Sequence, residues 1–425
     1  MTAETLKSLI PAFPGGKPTG RLYPAGAGLM DDREGETADT AFLQIIRDAE
    51  ATDFLLFCDT LDAEGFVSLF SRDAAEGLYR EYEKDGVLVY TYYIFAERTA
   101  RVILDNGSTP LPAFEEAPHA VTPFGNTALM QYALHYDKMI PGYSCDCGML
   151  YAVRLRSGHL ILVDGGEKEQ ATDAAVADCV KKLRLLTGSK KLTVSLWYCT
   201  HPHDDHMDFF MKLLRVLGDD MEVRRVAFNF PSNRLLKLPS YIPKLKERLK
   251  TYAPGAKFLR LHAGMRFMLE NAEVEVLHAH DDALNPDGWD TPFDLYDGIN
   301  ETCAVVRLTF EDKSLILLGD VGHVNAKIMM RRYKTLSCDY LQASHHCINR
   351  ILQVYRNTKA ETVLIPQGTY NLERGCRRNF QTLCRIYGKK NMLNGDETRL
   401  FFDDPVQSVR VSLPKVGSVF DGSEL

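Results

Sequence analysis

Long apolar runs are missing from this chain. No stretch of its 425 residues approaches the ~18 to 20 consecutive apolar residues that a membrane-spanning helix requires, so no membrane partner is expected. The opening residues Met1-Thr2-Ala3-Glu4-Thr5 lack a charged-then-apolar signal pattern. A disulfide framework is missing too. The ten cysteines are spread along the chain, and Cys58 and Cys199 sit in apolar runs, which is the habit of reduced, buried thiols in a cytoplasmic protein. Cys145-x-Cys147 has no second pair at zinc-ribbon spacing. Excess basic charge is absent: the net charge is −7, which disfavours a dedicated nucleic-acid binder. There is no repeat at solenoid periods and no evident flavin-binding segment.

What remains is an ordinary globular composition, long enough for two domains or for one large domain with an extension. Residues 1 to 38 are rich in glycine and proline. Thr40–Ala49 and Ala63–Phe70 read as short helices; Val87–Phe95 and Thr99–Leu104 are β-branched and aromatic and read as strands. Asn106–Pro123 holds four prolines and reads as a linker. The expected division is therefore a small α+β domain over 1–120, without a chemical motif, and a second domain over 121–425. In the second part, hairpins (Leu150–Leu155 with His159–Val163, Ala304–Phe310 with Leu315–Leu318) alternate with helices at Ala171–Leu186, Met207–Leu217, Tyr241–Tyr252, Asn325–Tyr333 and Arg377–Tyr387. Single strands are expected at Leu192–Cys199, Val223–Asn229, Tyr340–Ser344, Thr362–Pro366 and Val409–Leu413. That pattern predicts stacked layers with helices outside two sheets.

The densest chemistry is Thr200-His201-Pro202-His203-Asp204-Asp205-His206, which follows the apolar run Leu192–Cys199. Imidazole and carboxylate at this density suit zinc, manganese or iron. His201 and His203 alternate in direction and can face one ion; Asp205 and His206 open the next helix and can face a second. Asp320 closes the apolar strand before it, and its two carboxylate oxygens suit it to bridge two ions. His345-His346 closes another strand. One of the pair should complete the second position; the other can donate a proton. Asp164, at the end of a strand and before Gly165-Gly166, is expected to orient a ligand rather than to be one. His278 and His280, in the run Leu277-His278-Ala279-His280-Asp281-Asp282, are read first as solvated loop residues, with a ligand role as the alternative. His119, His135, His159, His262 and His323 lack any partner pattern and are expected to be structural or exposed.

The four pieces Val163-Asp164-Gly165-Gly166, His201-x-His203-x-Asp205-His206, Leu318-Gly319-Asp320 and Ser344-His345-His346 occur in a fixed order, which resembles the metallo-β-lactamase superfamily over roughly residues 126 to 415. The segment Asn300-Glu301-Thr302-Cys303-Ala304-Val305-Val306 brings it nearest to the branch of competence-type DNA-uptake domains and phosphorylcholine esterases. The resemblance implies an α/β fold, a four-layer αβ/βα sandwich, with a binuclear metal cleft. It implies ligand roles for His201, His203, Asp205, His206, Asp320 and one of His345 or His346. Two departures stand out. Asn300 occupies the region where many members place a lone histidine, so the first ion keeps His201, His203 and Asp320 or recruits Asn300, His278 or His280. Cys347 stands where the branch has glycine.

The function expected is hydrolysis of an ester-type bond by a metal-bridging hydroxide, with a phosphoester or phosphodiester as first choice. Two divalent ions are expected, zinc first, manganese or iron as alternatives. His346 is taken as the ligand. Asp205 and His345 are taken as catalytic, with Asp204 as the alternative proton donor to the departing group. The expected partner is a small-molecule or anionic ester substrate, and a homodimer is left open. Two rivals stand: an iron-dependent oxidoreductase on the same fold, and a metal-binding regulatory protein with a degenerate site.

Overall fold

The computed structural model describes residues 7–19, 22–27, 39–134, 148–232, 241–284 and 298–401. Cys145, Cys147, His135 and the strand expected at Val409–Leu413 lie outside these.

Two sheets form the larger part. The first runs Lys257–Arg260, Arg225–Phe228, Leu192–Tyr198, Leu160–Asp164, Leu150–Arg154, Ala128–Gln131 and Arg399–Phe401, with Met221–Val223 paired beside Leu192–Tyr198. The second runs Arg266–Leu269, Ala272–His278, Val305–Phe310, Lys313–Leu317, Leu336–Gln342, Thr358–Leu364 and Met392–Leu393. Period-two alternation sends successive side chains to opposite faces. Ile161 and Val163 join Leu315 and Leu317 in the core between the sheets. Leu160 and Leu162 face outward, against Val176 and Leu183 of helix Asp173–Thr187 and Phe209 and Phe210 of helix Asp208–Leu217. Ile316 and Leu341 face outward in the second sheet, against Met329 of helix His323–Arg332 and Leu383 of helix Arg377–Tyr387. Strands buried on both faces read as continuous apolar runs. The result is the four-layer αβ/βα sandwich.

Each sheet contains a parallel pair whose C-terminal ends meet at one edge. Leu160–Asp164 lies parallel to Leu192–Tyr198, and Lys313–Leu317 parallel to Leu336–Gln342. Backbone and side-chain bonds join the sheets there: Ala304 N donates to Thr200 O at 2.9 Å, and Tyr198 Oη donates to Ala304 O at 2.6 Å. All four motifs found in the sequence follow these strand ends, where open sheets place ligands.

The N-terminal part is a seven-stranded antiparallel sheet, in the order Lys17–Pro18, Asp39–Arg47, Thr99–Asp105, Val87–Ile94, Gly77–Lys84 and Val67–Asp73, with Tyr23–Ala27 beside Asp39–Arg47. Helix Ala51–Ala63 packs Phe54, Phe57 and Leu61 on one face. Tyr79, Tyr90 and Tyr92 on the other face share the core of the sandwich. Three sequence expectations fail here. Asp39–Arg47 is a strand rather than a helix, because it lies between two strands and has Ile45 and Ile46 to bury, one on each face. The helix expected at Ala63–Phe70 lies upstream, at Ala51–Ala63, capped by Glu50 and Asp53, and Val67–Asp73 is a strand. The expected linker is applied to the sandwich: Leu111 and Phe114 are buried in the core, and Thr109 N donates to Phe258 O at 2.6 Å.

The run His278-Ala279-His280-Asp281-Asp282 corrects another expectation. It is buried rather than solvated. Arg332 Nη1 lies 2.6 Å from Asp282 Oδ2 and Arg332 Nη2 3.1 Å from Glu97 of the N-terminal sheet. Tyr92 Oη donates to Asp282 Oδ1 at 2.7 Å. His262 Nδ1 is 2.6 Å from Asp281 Oδ2, and His280 Nε2 is 2.8 Å from Ala25 O. These residues fasten the N-terminal sheet to the sandwich. Buried charges at such a junction persist because each has an opposite partner.

Candidate metal centre

The loop after Leu192–Tyr198 is built to hold imidazoles. Asp164, buried and at φ 55°, accepts from Thr200 N at 2.7 Å and Thr200 Oγ1 at 2.9 Å. Its Oδ2 also lies 2.6 Å from His206 Nδ1. Nδ1–H is thereby directed at the carboxylate, which leaves the Nε2 lone pair facing inward. Gly165 permits this arrangement. A Cβ there would stand 2.4 Å from Phe210 Cβ, and its carbonyl accepts Phe210 N at 2.9 Å at the start of helix Asp208–Leu217.

The opposite loops are held by Gln342, which the sequence reading missed. Its Oε1 accepts from Leu318 N at 2.8 Å and Gly319 N at 2.7 Å, so the turn bearing Asp320 is tied to the strand bearing the histidine pair. His345 N donates to Gly319 O at 3.0 Å, and Asn349 Nδ2 donates to Asp320 O at 3.2 Å. Gly319 (φ 56°) has no room for a side chain: a Cβ would meet Thr200 Cβ at 2.9 Å. His345, His346 and Cys347 have φ of 50°, 48° and 72°, a left-handed run that costs an L residue roughly 1–2 kcal/mol each. Cys347, where the resembled branch has glycine, therefore sits in glycine's preferred conformation.

These loops bring two sets of donors together. Asp205, His206, Asp320 and His346 offer one atom each, all within 4.8 Å of one another; His201, His203 and Asp320 do the same. In the first set, Nε2 of His346 lies 2.9 Å from Asp205 Oδ2 and 3.6 Å from Asp320 Oδ1. Nε2 of His206 lies 3.2 Å from His346 Nε2, 3.3 Å from Asp320 Oδ1 and 3.7 Å from Asp205 Oδ2. Ligands about 2.0–2.1 Å from a tetrahedral ion stand roughly 3.3 Å apart, so five edges of the expected tetrahedron are present. In the second set, His201 Nε2 is 2.9 Å from His203 Nδ1 and 3.8 Å from Asp320 Oδ2. The two oxygens of Asp320 thus face different sets. Among the described residues, no further His, Cys, Asp or Glu joins the second set, and His278 and His280 belong to the junction described above. Asn300, in the turn Asn300–Thr302, is buried with Oδ1 lacking a hydrogen-bond partner.

The electrostatics fit a cation. Burial, with His206 beside it, pushes His201 well below its ordinary range, and burial lowers His203, so both present neutral lone pairs. Burial opposes charge on His206 and His346, yet Asp320 and Asp205 hold both above the usual histidine range, and Asp164 adds to the effect on His206. Burial also opposes charge on Asp320, and His206, His346 and His345 hold it well below the carboxylate range. Buried Asp320 and half-buried Asp205, with buried Asp164 behind His206, thus call for positive charge at the point where imidazole nitrogens converge. A divalent metal ion meets that demand with the donor set present. His345 stands at the rim, its side chain 22% exposed and its Nε2 3.6 Å from Asp320 Oδ2. Asp204 accepts from Asp205 N at 3.1 Å.

No protein-family model matches the sequence, and no curated protein matches it. Solved structures do show similarity. The metallo-β-lactamase fold protein YhfI from Bacillus subtilis matches at TM-score 0.40 and 11% identity, over 65% of this chain and 99% of that one. CmlA, a diiron β-hydroxylase from Streptomyces venezuelae, matches at 0.37 and 13%, over 64% of this chain and 54% of that one. A B3 metallo-β-lactamase with an active-site glutamic acid matches at 0.30 and 15%, over 64% and 92%. Among the described residues, no helix is long and apolar enough to cross a membrane, and none of the eight described cysteines is in a disulfide.

Proposed function

We propose that this protein is a metal-dependent hydrolase of ester-type bonds, with phosphodiesters or phosphomonoesters as its substrate class and two divalent ions, zinc first, as its cofactor. The observation that carries the reading is Asp320, whose oxygens divide between the two donor sets. Two ions held close together supply, when bound, Lewis acidity toward phosphoryl oxygens and a water that ionises near neutral pH. The residues of the chain do the rest. His201 and His203 would hold one ion and Asp205, His206 and His346 the other. Asp164 and Thr200 set the tautomer of His206. Asp205, whose side chain is 18% exposed, receives the proton of the attacking water. His345, at the rim, gives a proton to the departing oxygen. The phosphoester preference is supported by the resemblance of the sequence motifs to the phosphorylcholine-esterase branch and by the suitability of paired ions for phosphoryl groups.

The test is a panel of p-nitrophenyl phosphodiester, phosphomonoester and carboxylic ester substrates assayed on metal-loaded protein. The expected result is phosphoester turnover that chelation abolishes, that zinc or manganese restores, and that Asp205→Ala lowers by roughly 100-fold or more. Metal-loaded protein that turns over nothing in the panel would establish the binding-protein reading instead. Activity that requires iron and dies on exchange to zinc would establish the redox reading.

A further inference from the structure

A second group of donors lies at the other end of the sandwich. His159 immediately precedes strand Leu160–Asp164, so it is separated from Asp164 by the length of that strand, roughly 17 Å at 3.3–3.4 Å per residue. Glu270, its side chain 2% exposed and its φ 55°, sits in the turn between Arg266–Leu269 and Ala272–His278. Glu116 and His119 come from the segment leaving the N-terminal part. That segment is pinned by Glu116 N donating to Met268 O at 3.0 Å and Glu270 N donating to Glu116 O at 2.6 Å. One atom from each of Glu116, His119, His159 and Glu270 lies within 4.8 Å of the others. The sequence reading assigned both histidines no partner.

The spacing suits coordination. His119 Nε2 stands 3.2 Å from Glu116 Oε1 and 3.6 Å from Glu270 Oε1, which brackets the roughly 3.3 Å between ligands of a tetrahedral zinc. The two imidazoles meet edge to face, centroids 4.7 Å apart. His159 Nδ1 is closer to Glu270 Oε1, at 2.6 Å, and must open by several tenths of an ångström around an ion.

The charges separate the two carboxylates. Glu116 is neutralised by Arg225 on Oε2 and by Arg224, 3.0 Å from Oε1. No lysine or arginine reaches Glu270 among the described residues. It meets His159, His119, the Ser157 side chain and Ser195 Oγ, the last at 2.9 Å. A buried carboxylate whose charged-partner candidates are only imidazoles is a good seat for a cation.

We propose that Glu116, His119, His159 and Glu270 form a second divalent-metal site, zinc by its donors, that staples the 115–119 segment to both sheets at the edge opposite the metal centre described above. Two residues come from the connecting segment, one from the first sheet and one from the turn of the second, so one ion ties three parts of the chain together. Glu270 is the most deeply buried of the four donors. Arg224 and Arg225 leave Glu116 as the weakest of the four.

Zinc content after dialysis against a zinc buffer tests this. His119→Ala/His159→Ala should hold one molar equivalent less than the wild type and keep phosphodiesterase activity. Asp320→Asn, which disrupts the other centre, should keep one equivalent and lose it when the two histidine changes are added. Zinc should raise the melting temperature of Asp320→Asn but not of the triple variant. Equal zinc content in the wild type and the double histidine variant overturns the proposal. Should the double variant fail to fold, Glu270→Gln in wild-type protein is the substitute: the cobalt-loaded protein should lose one of its tetrahedral absorption components, and an unchanged spectrum overturns the proposal. If Asp320→Asn loses no metal, the hydrolase reading falls while this one stands.

Discussion

Asp164→Asn is the sharpest probe of the main centre, because it alters no donor and almost no volume. The carboxylate accepts three hydrogen bonds: Thr200 N at 2.7 Å, Thr200 Oγ1 at 2.9 Å and His206 Nδ1 at 2.6 Å. An asparagine amide cannot accept all three. With its oxygen toward Thr200 N, its NH2 points at His206 Nδ1 and donates into it. The ring proton then moves to Nε2, the atom that lies 3.3 Å from Asp320 Oδ1 and 3.2 Å from His346 Nε2, and the lone pair is lost to the ion. With the amide reversed, NH2 meets the Thr200 N–H and the loop must shift. Loss of such an orienting carboxylate typically weakens a metal site by roughly 10–100-fold, about 1.4–2.7 kcal/mol. Zinc competition against a fluorescent chelator should show that loss at the Asp205–His206–Asp320–His346 set, and the His201–His203 set should change little. Near-ultraviolet circular dichroism serves as the folding control. Two ions bound at wild-type affinity in a folded Asp164→Asn protein would refute the argument that Asp164 sets the tautomer of His206.

Three further outcomes follow from the same structure. Gly319→Ala should cost about 1–2 kcal/mol in urea denaturation, since it combines a left-handed φ with a 2.9 Å approach to Thr200, and should weaken both ions together through the displacement of Asp320. Arg332→Ala removes the partner of buried Asp282 and should lower stability by about 3–5 kcal/mol in urea denaturation, with the N-terminal sheet loosening first by hydrogen exchange. Glu81 is the pH-sensitive group. Burial pushes its carboxyl up to about 7, against the bond from Leu111 N, and its Oε2 has no partner. The folded state therefore holds a proton that the unfolded chain releases near the ordinary value of 4.5. Stability should fall as pH rises from there through about 7, and Glu81→Gln should gain on the wild type across the same window, by at most about 3 kcal/mol. Chemical denaturation at pH 5 and pH 8.5 measures it, and a pH-independent difference would contradict the assignment.

The candidate metal loop was legible because its chemistry is local. His201, His203, Asp205 and His206 lie within six consecutive residues, and each of Asp164, Asp320 and His346 stands at or just past the end of a strand that its apolar run makes recognisable. Gln342 was not legible. One glutamine at the end of a strand carries no signal until the neighbouring strand's Leu318 and Gly319 amides are seen to point at it. The Asp39–Arg47 strand was misread for a similar reason: its residues divide between helix formers (Ala41, Leu43, Gln44, Arg47) and strand formers (Thr40, Phe42, Ile45, Ile46), and only its pairing with Thr99–Asp105 decides the matter. His278 and His280 resembled a polar loop because the surface that buries this run comes from residues 190 to 255 positions earlier.

The sequence by itself determined which side chains could serve as ligands and on which strand ends they stand, since alternation and apolar runs are properties of neighbouring residues. Only the tertiary structure decided that Asp320 faces two donor sets, that the His278–Asp282 run is a junction rather than a ligand, and that His119 and His159 meet Glu116 and Glu270. Those facts depend on how two sheets and an N-terminal sheet are stacked. Stacking sums many weak contacts between distant residues, and no window of sequence contains it.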